Sequence, residues 1–156
     1  MQKIKSFEVD HRKLDKGFYI SRIDGDVYTY DLRFCKPNTG EVLDNVTMHT
    51  IEHMLATFTR NSRIADSVVY FGPMGCQTGF YFLVRDDVKP MEALNIILEA
   101  IESTIAHTGE VFGASEIECG NYKTLDLEKA KSACIDYLGV LVDTYEVLDY
   151  EQVNNK

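Results

Sequence analysis

The chain contains 156 residues, 45% of them hydrophobic, and carries a formal net charge of −9 at pH 7. This length and hydrophobic share predict one globular domain with a substantial core. The acidic balance argues against a nucleic-acid partner, because a surface that binds phosphate must be basic. No apolar run is long enough to span a membrane, and the charged first residues predict no signal peptide. We therefore expect no membrane association and a cytoplasmic location.

The first predicted elements in chain order are a β-hairpin and a helix. β-Prone residues over 17–34 are interrupted by a turn at 24–26, which predicts two paired strands. From about 47 to 60, apolar residues recur at helical spacing, which predicts an amphipathic helix. The apolar stripe of this helix consists of Met48, Ile51, Leu55 and Phe58.

The rest of the chain predicts two more strands and two more helices. Strands are expected at 67–71 and 78–84, on either side of a loop rich in glycine. A helix is expected at 90–107, with Pro90 in its first turn, and another from Asp126, a favourable N-cap, towards residue 148. Strands and helices do not alternate regularly. We therefore predict an α+β fold in which an antiparallel sheet is packed on one face by helices, in a single domain.

The sharpest local signal is the sequence His-Thr-Ile-Glu-His at 49–53, within the first predicted helix. Residues four apart on a helix lie on one face, one turn along, so His49 and His53 can bind one divalent metal ion. Glu52 lies on the same face and can act as a general base beside the metal without being a ligand. The apolar stripe of the helix does not include these histidines, so core packing does not explain them.

The third ligand of this site is not fixed by the pattern. A catalytic metal ion commonly has three protein ligands and one open position. The candidates are Cys119, Glu116, Glu118, Cys76 and His11. Cys119 precedes a glycine in a turn-like segment that could present a thiolate, although a buried structural cysteine is the alternative. Either glutamate would instead complete a site of two histidines and one carboxylate.

The four cysteines, Cys35, Cys76, Cys119 and Cys134, are widely spaced and are expected to be reduced. Cys76 differs from the others because it lies in the glycine-rich loop between two predicted strands. Such a loop lets a side chain approach a ligand closely, and a neighbouring cation would favour a thiolate that exchanges protons. Cys134 lies on an apolar stripe and is expected in the core.

Several segments together resemble the S-ribosylhomocysteine lyase family, also called LuxS. The most specific are residues 49–53 and the loop at 72–81, which reads Gly-Pro-Met-Gly-Cys-Gln-Thr-Gly-Phe-Tyr. The others are residues 6–11, 30–34 with 36–38, and 118–120. All of them occur in the family's order and they span nearly the whole chain.

The resemblance implies a metal-dependent carbon–sulfur lyase with one catalytic domain, residues 1–156. Such an enzyme cleaves S-ribosylhomocysteine into homocysteine and 4,5-dihydroxy-2,3-pentanedione, the precursor of a quorum-sensing autoinducer, and thereby recycles homocysteine in the methyl cycle. The family's metal ligands fall on His49, His53 and Cys119, and its general acid–base pair on Cys76 and Glu52. The implied cofactor is one iron(II) ion per subunit, which zinc or cobalt can replace in a purified sample.

The resemblance also implies a homodimer with shared active sites. The family's substrate contacts fall on Ser6, Phe7, His11, Arg33 and Arg60. Some of these contacts come from the second subunit, and the N-terminal segment with Ser6 and His11 is expected to reach the neighbour's site.

Two positions depart from the family pattern. Tyr70 stands where we expect an aspartate that helps hold the amino group of the substrate, and Leu125 stands where we expect a histidine. The first departure concerns the amino-acid end of the substrate pocket. Neither touches the implied metal ligands or the acid–base pair.

Two other functions fit part of the pattern. A metallohydrolase would use Glu52 to activate water and Glu116 or Glu118 as the third ligand, but it leaves the loop around Cys76 unexplained. A non-enzymatic metal-binding module would have a site closed by four protein ligands and no adjoining pocket.

Overall fold

The computed structural model describes all residues, 1–156, and contains five strands and four α-helices. The strands are β1 (Gly17–Asp24), β2 (Val27–Arg33), β3 (Val68–Pro73), β4 (Gly79–Arg85) and β5 (Leu148–Asp149). The helices are α1 (Asn45–Arg60), α2 (Pro90–Ala106), α3 (Leu127–Thr144) and α4 (Tyr150–Asn154). None of these helices is both long enough and apolar enough to cross a membrane.

The strands form one sheet in the order β3-β4-β2-β1-β5. The pairs β1–β2, β2–β4 and β3–β4 are antiparallel, and β1 also pairs in parallel with β5. The predicted α+β fold is confirmed, including the antiparallel pairing of the four long strands. Only the short parallel strand β5 was not predicted, because two residues carry no periodic signal.

The core lies between one face of the sheet and the three long helices. Alternation along the strands buries one set of side chains against α1, α2 and α3, as the sequence predicted. This set includes Phe18, Tyr30, Leu32, Phe80 and Phe82, each at most 1% exposed. Residues at the intervening positions, such as Thr29, Asp31 and Tyr81, face the other side of the sheet.

The helix ends follow local chemistry. The Asp44 carboxylate accepts a hydrogen bond from the Thr47 N–H at 2.8 Å, so α1 begins two residues earlier than predicted. The predicted N-cap at Asp126 and the predicted Pro90 in the first turn of α2 are confirmed. Helix α3 ends at Thr144, short of residue 148, because Tyr145 adopts a left-handed conformation with φ of 43°.

A second, small cluster joins the two ends of the chain. Its buried members are Val9, Leu14, Tyr19, Tyr150 and Val153. The cluster packs α4 against the N-terminal segment and β1, although α4 was not predicted from the sequence. Five helical residues are too few to show helical periodicity, so their conformation depends on this tertiary packing.

Candidate metal centre and adjoining cavity

Helix α1 presents two separate stripes. Met48, Ile51 and Leu55 are buried in the core, with exposures of 7%, 0% and 0%. His49 and His53 are half-buried on another face of the helix, and their ring centroids lie 4.6 Å apart. The predicted separation of the apolar stripe from the histidines is therefore confirmed.

Hydrogen bonds orient both histidine rings in the same way. The Nδ1 atom of His49 lies 3.1 Å from the carbonyl oxygen of Thr124, and the Nδ1 atom of His53 lies 2.7 Å from that of Phe112. A carbonyl oxygen can only accept, so each Nδ1 carries the proton and donates it. In the neutral ring each Nε2 atom then keeps its lone pair, which is the usual arrangement of metal-binding histidines.

Cys119 completes a group of three donors. The ligand atoms of His49, His53 and Cys119 all lie within 4.8 Å of one another, and Cys119 Sγ is 3.3 Å from His49 Nε2. The backbone N–H of Asn121 donates to Cys119 Sγ at 3.4 Å, which helps to fix the position of the sulfur. Two neutral imidazoles and one thiolate fit a divalent ion with an open fourth position.

The other candidate ligands do not join this group. Glu116 is exposed, and the carboxylate of Glu118 accepts a hydrogen bond from the Ser115 hydroxyl at 2.5 Å. Cys76 and His11 lie elsewhere, at a separate cavity. Cys119 is therefore the only one of the five candidates that the fold brings to the two histidines.

Cys76 lies at the edge of a cavity of about 300 Å³, which it shares with His11, Arg33 and Thr78. Cys76 Sγ is 3.1 Å from the Thr78 hydroxyl oxygen and 3.9 Å from Arg33 Nη1. The thiol is exposed, whereas the thiols of Cys35 and Cys134 are buried. The Cys76 thiol is therefore accessible and has polar side chains beside it. The predicted core position of Cys134 is confirmed.

The loop that carries Cys76 is attached to the start of α1. The Gln77 carbonyl oxygen accepts the Leu43 N–H at 2.9 Å, and the Gln77 amide donates to the side chain of Asn45 at 3.0 Å. Asn45 is the first residue of α1. No residue of α1 lines the cavity, however, so the cavity and the metal-ligand group are distinct parts of one chain.

The predicted substrate contacts occupy different places in a single chain. His11 and Arg33 line the cavity of their own chain's Cys76. Ser6 lines a different cavity, of about 230 Å³, and Phe7 is 65% exposed. Arg60, at the end of α1, donates to the carbonyl oxygen of Val69 at 2.9 Å. One chain thus brings only two of the five residues to Cys76.

A buried charged pair behind Cys76 was not identified from the sequence. Arg33 donates to both carboxylate oxygens of Asp31, and the side chains are 2% and 0% exposed. Burial raises the pKa of Asp31, and the charge and hydrogen bonds of Arg33 counteract this effect. The alternation of polar Asp31 and Arg33 with apolar Tyr30 and Leu32 was the available signal.

Both departures from the family pattern lie near the surface. Tyr70 is 50% exposed and its ring lies over Gly72, where an added Cβ atom would displace the Tyr70 side chain. It lines the same cavity as Ser6 and Tyr81. Leu125 is half-buried just before α3. Neither residue belongs to the group of three metal-ligand candidates.

The fold and the site define a small α+β protein with a donor set of two histidines and one cysteine and, apart from it, a cavity that contains a cysteine. Residues 4–146 match the family model described as S-Ribosylhomocysteinase (LuxS), so the chain belongs to that family. It is 44% identical to the S-ribosylhomocysteine lyase of Desulfotalea psychrophila, over 92% of this chain and 93% of that protein. It is 42% identical to the Finegoldia magna lyase, over 90% and 92% of the two chains. For the Phocaeicola vulgatus lyase the identity is 40%, over 99% and 96%.

Gly113 is expected to control the orientation of His53. A Cβ atom at Gly113 would lie 3.2 Å from His53 Nδ1, and the φ of 69° disfavours any side chain. We expect Gly113→Ala to weaken metal binding by about 10- to 100-fold, the usual effect of disturbing the partner of a ligating histidine. Competition with a chromogenic chelator measures the affinity. Gly120→Ala is the matched control, because nothing lies within 4 Å of its added methyl group. Equal affinities for the two variants would contradict this role of Gly113.

Proposed function

We propose that the chain is an S-ribosylhomocysteine lyase, a carbon–sulfur lyase that works as one catalytic domain over residues 1–156. The observation that carries the proposal is the group formed by His49, His53 and Cys119, in a chain of the LuxS family. The relatives described above bear the name of this activity and match over at least 90% of the chain. The products are homocysteine and 4,5-dihydroxy-2,3-pentanedione, which serve homocysteine recycling and autoinducer synthesis.

The proposed reaction proceeds through a series of proton transfers. The sugar carbonyl moves from C1 to C3 by two enolisations, and homocysteine then leaves from C5 by β-elimination. Each step removes a proton from a carbon next to a carbonyl group, and no water or oxidant is consumed. When bound to the three ligands, a divalent ion supplies Lewis-acid polarisation of the sugar oxygens. We assign iron(II) to this role, with zinc or cobalt as replacements in a purified sample.

Two side chains are proposed to move the protons. Cys76, as a thiolate, takes a proton from carbon at its Sγ atom and returns it to the neighbouring carbon. The Thr78 hydroxyl and the Arg33 guanidinium, at 3.1 Å and 3.9 Å from Sγ, support the negative charge. Glu52, on the helix that carries the two histidines, moves protons between the sugar oxygens and carbon at its carboxylate.

Release of a free thiol separates this function from a metallohydrolase. We expect the purified protein to liberate homocysteine from S-ribosylhomocysteine, as measured with a thiol reagent, and to leave peptides intact. The hydrolase would need Glu116 or Glu118 at the histidines, and neither lies there. Peptide cleavage that persists in Cys119→Ala would favour the hydrolase instead.

We propose a homodimer with shared active sites, because the proposed catalytic groups lie in two separate places within one chain. The Cys76 cavity contains no residue of α1, which carries Glu52 and the two histidines. Ser6 and Phe7 also lie apart from Cys76, and Phe7 is largely exposed. A two-fold dimer can bring the cavity of one chain to the metal-ligand group of the other, twice.

The four free cysteines fit a reducing compartment, and we place the enzyme in the cytoplasm.

Mixing inactive variants tests the shared site. In a hybrid of Cys76→Ala and Glu52→Gln chains, one site carries both lesions and the other carries neither. Half of randomly reassorted dimers are hybrids, so we expect about a quarter of wild-type activity to return by this symmetry. The chains are unfolded and refolded together, and a tagged pull-down measures hybrid formation.

The matched control combines two lesions in the same cavity. His11→Ala and Cys76→Ala both alter the cavity of one chain, so their hybrids are expected to stay inactive in this arrangement. If hybrids of Cys76→Ala and Glu52→Gln form but remain at background activity, each site lies within one chain and the shared-site proposal is wrong.

A further inference from the structure

A tyrosine of the C-terminal helix contacts the charged pair behind Cys76. Tyr150, the first residue of α4, is 6% exposed, and its hydroxyl donates to Oδ2 of Asp31. The same oxygen accepts Arg33 Nη2 at 2.5 Å. Burial and the Asp31 carboxylate raise the pKa of Tyr150, so the hydroxyl keeps its proton at neutral pH and acts as the donor. The match to the family model ends at residue 146, before this contact.

Backbone pairing and packing fix the position of this hydroxyl. Leu148 and Asp149 pair in parallel with β1, where Tyr19 lies opposite Asp31 of β2. Tyr150 follows directly, and its ring packs in the small terminal cluster with a centroid 6.1 Å from that of Tyr19. The hydroxyl is therefore placed by β5 and α4, and not by its bond to Asp31 alone.

Arg33 links this contact to Cys76. Its Nη1 atom donates to the Thr78 hydroxyl oxygen at 2.7 Å and lies 3.9 Å from Cys76 Sγ. The distance from Nη1 to Cys76 Sγ is long for an N–H···S contact. A small shift of the guanidinium therefore changes its electrostatic interaction with the Cys76 sulfur. The Asp31–Arg33 pair is almost fully buried, so protein groups determine where the guanidinium lies.

We propose that Tyr150 is a positioning residue of the lyase reaction: its hydroxyl, through Asp31, holds the Arg33 guanidinium against Thr78 and Cys76. The C-terminal helix is then a functional part of the site. The inference rests on the proposed function, in which Cys76 moves protons. Without the hydroxyl, Asp31 loses a donor and draws Arg33 towards itself, away from Cys76.

The test is Tyr150→Phe in the full, metal-loaded chain, which removes one oxygen atom and keeps the ring. Alkylation of Cys76 by iodoacetamide at neutral pH is followed by mass spectrometry of the peptide that contains it. We expect alkylation to slow about fivefold and kcat for homocysteine release to fall about tenfold, because hydrogen bonds to charged groups are the strong ones. KM is expected to stay within about twofold, since Tyr150 does not line the Cys76 cavity.

Two controls separate positioning from stability. Tyr19→Phe removes a hydroxyl in the same cluster that donates to the Asp15 carbonyl oxygen and not to Asp31. Val153→Ala loosens the packing of α4 but keeps the Tyr150 hydroxyl. Both are expected to lower the melting temperature while keeping the wild-type alkylation rate and kcat.

The inference is overturned if Tyr150→Phe behaves like Tyr19→Phe, or if Val153→Ala slows alkylation as much as Tyr150→Phe does. Alkylation needs no substrate. If the wild-type chain releases no homocysteine, the lyase proposal fails, and the alkylation rates still decide whether Tyr150 positions Arg33.

Discussion

Cys119→Ala is expected to purify nearly free of metal and to release almost no homocysteine. The open site has three protein donors, and the substitution removes the only anionic one. The two histidines would remain oriented by the carbonyl oxygens of Thr124 and Phe112, but two neutral ligands bind a divalent ion weakly. Elemental analysis of the purified variant gives the metal content per chain.

Cys134→Ala is the matched control for this experiment. It also deletes a thiol, but one that is fully buried in the core and belongs to no group of donors. It should lose stability, by up to about 2 kcal/mol as a small cavity forms, and keep its metal. If Cys119→Ala still carries about one ion per chain, the assignment is wrong and Glu116 or Glu118 must be tested as the third ligand.

Cys76→Ala and Glu52→Gln are expected to keep their metal and bind substrate, yet to release homocysteine about 10²- to 10⁴-fold more slowly. This is the usual contribution of a general acid–base group. Neither residue belongs to the metal-ligand group, so the loss should appear in kcat and not in metal content. Single-turnover assays with metal-loaded variants separate the chemical step from binding.

Selective alkylation provides a second measurement on Cys76. Burial raises the pKa of the Cys134 thiol to about 12, so Cys134 should react very slowly at neutral pH. Cys76 is exposed and lies beside the Arg33 guanidinium, and it should react first.

Near-normal turnover in Cys76→Ala or Glu52→Gln would remove that residue from the mechanism.

The regular elements could be predicted because their patterns are long and local. The hairpin, the two later strands and the starts of the three long helices were predicted to within two residues. Each has several turns or several alternating positions, or a cap such as Asp126. Strand β5 and α4 could not be predicted, because their conformation depends on pairing with β1 and on the terminal cluster.

The candidate site was predictable to the extent that its residues share one element. His49, Glu52 and His53 lie on a single helix, so their spacing was sufficient to place them together. The residues between α2 and α3 contain no helix or strand, so the sequence pattern left Cys119 in competition with two glutamates. The hydrogen bonds that close this segment over α1 join residues 59 and 75 positions apart.

Arg33 shows the limit of transferring a role by resemblance alone. The resemblance implied a substrate contact, which stays a prediction, and Arg33 does line the Cys76 cavity. Its charge, however, is compensated inside the chain by Asp31, and the pair is completed by Tyr150, 117 residues further along. A contact over that separation has no local sequence signal.

The sugar product of S-ribosylhomocysteine cleavage tests the central proposal most directly. The metal-loaded protein is incubated with substrate, homocysteine is measured with a thiol reagent, and the sugar product is trapped with an aromatic diamine that reacts with adjacent carbonyl groups. Carbonyl migration followed by elimination predicts equal amounts of homocysteine and trapped dicarbonyl, and formation of both about 10²- to 10⁴-fold more slowly with Cys76→Ala. Homocysteine accompanied by free ribose, or no homocysteine at all, would contradict the proposed lyase.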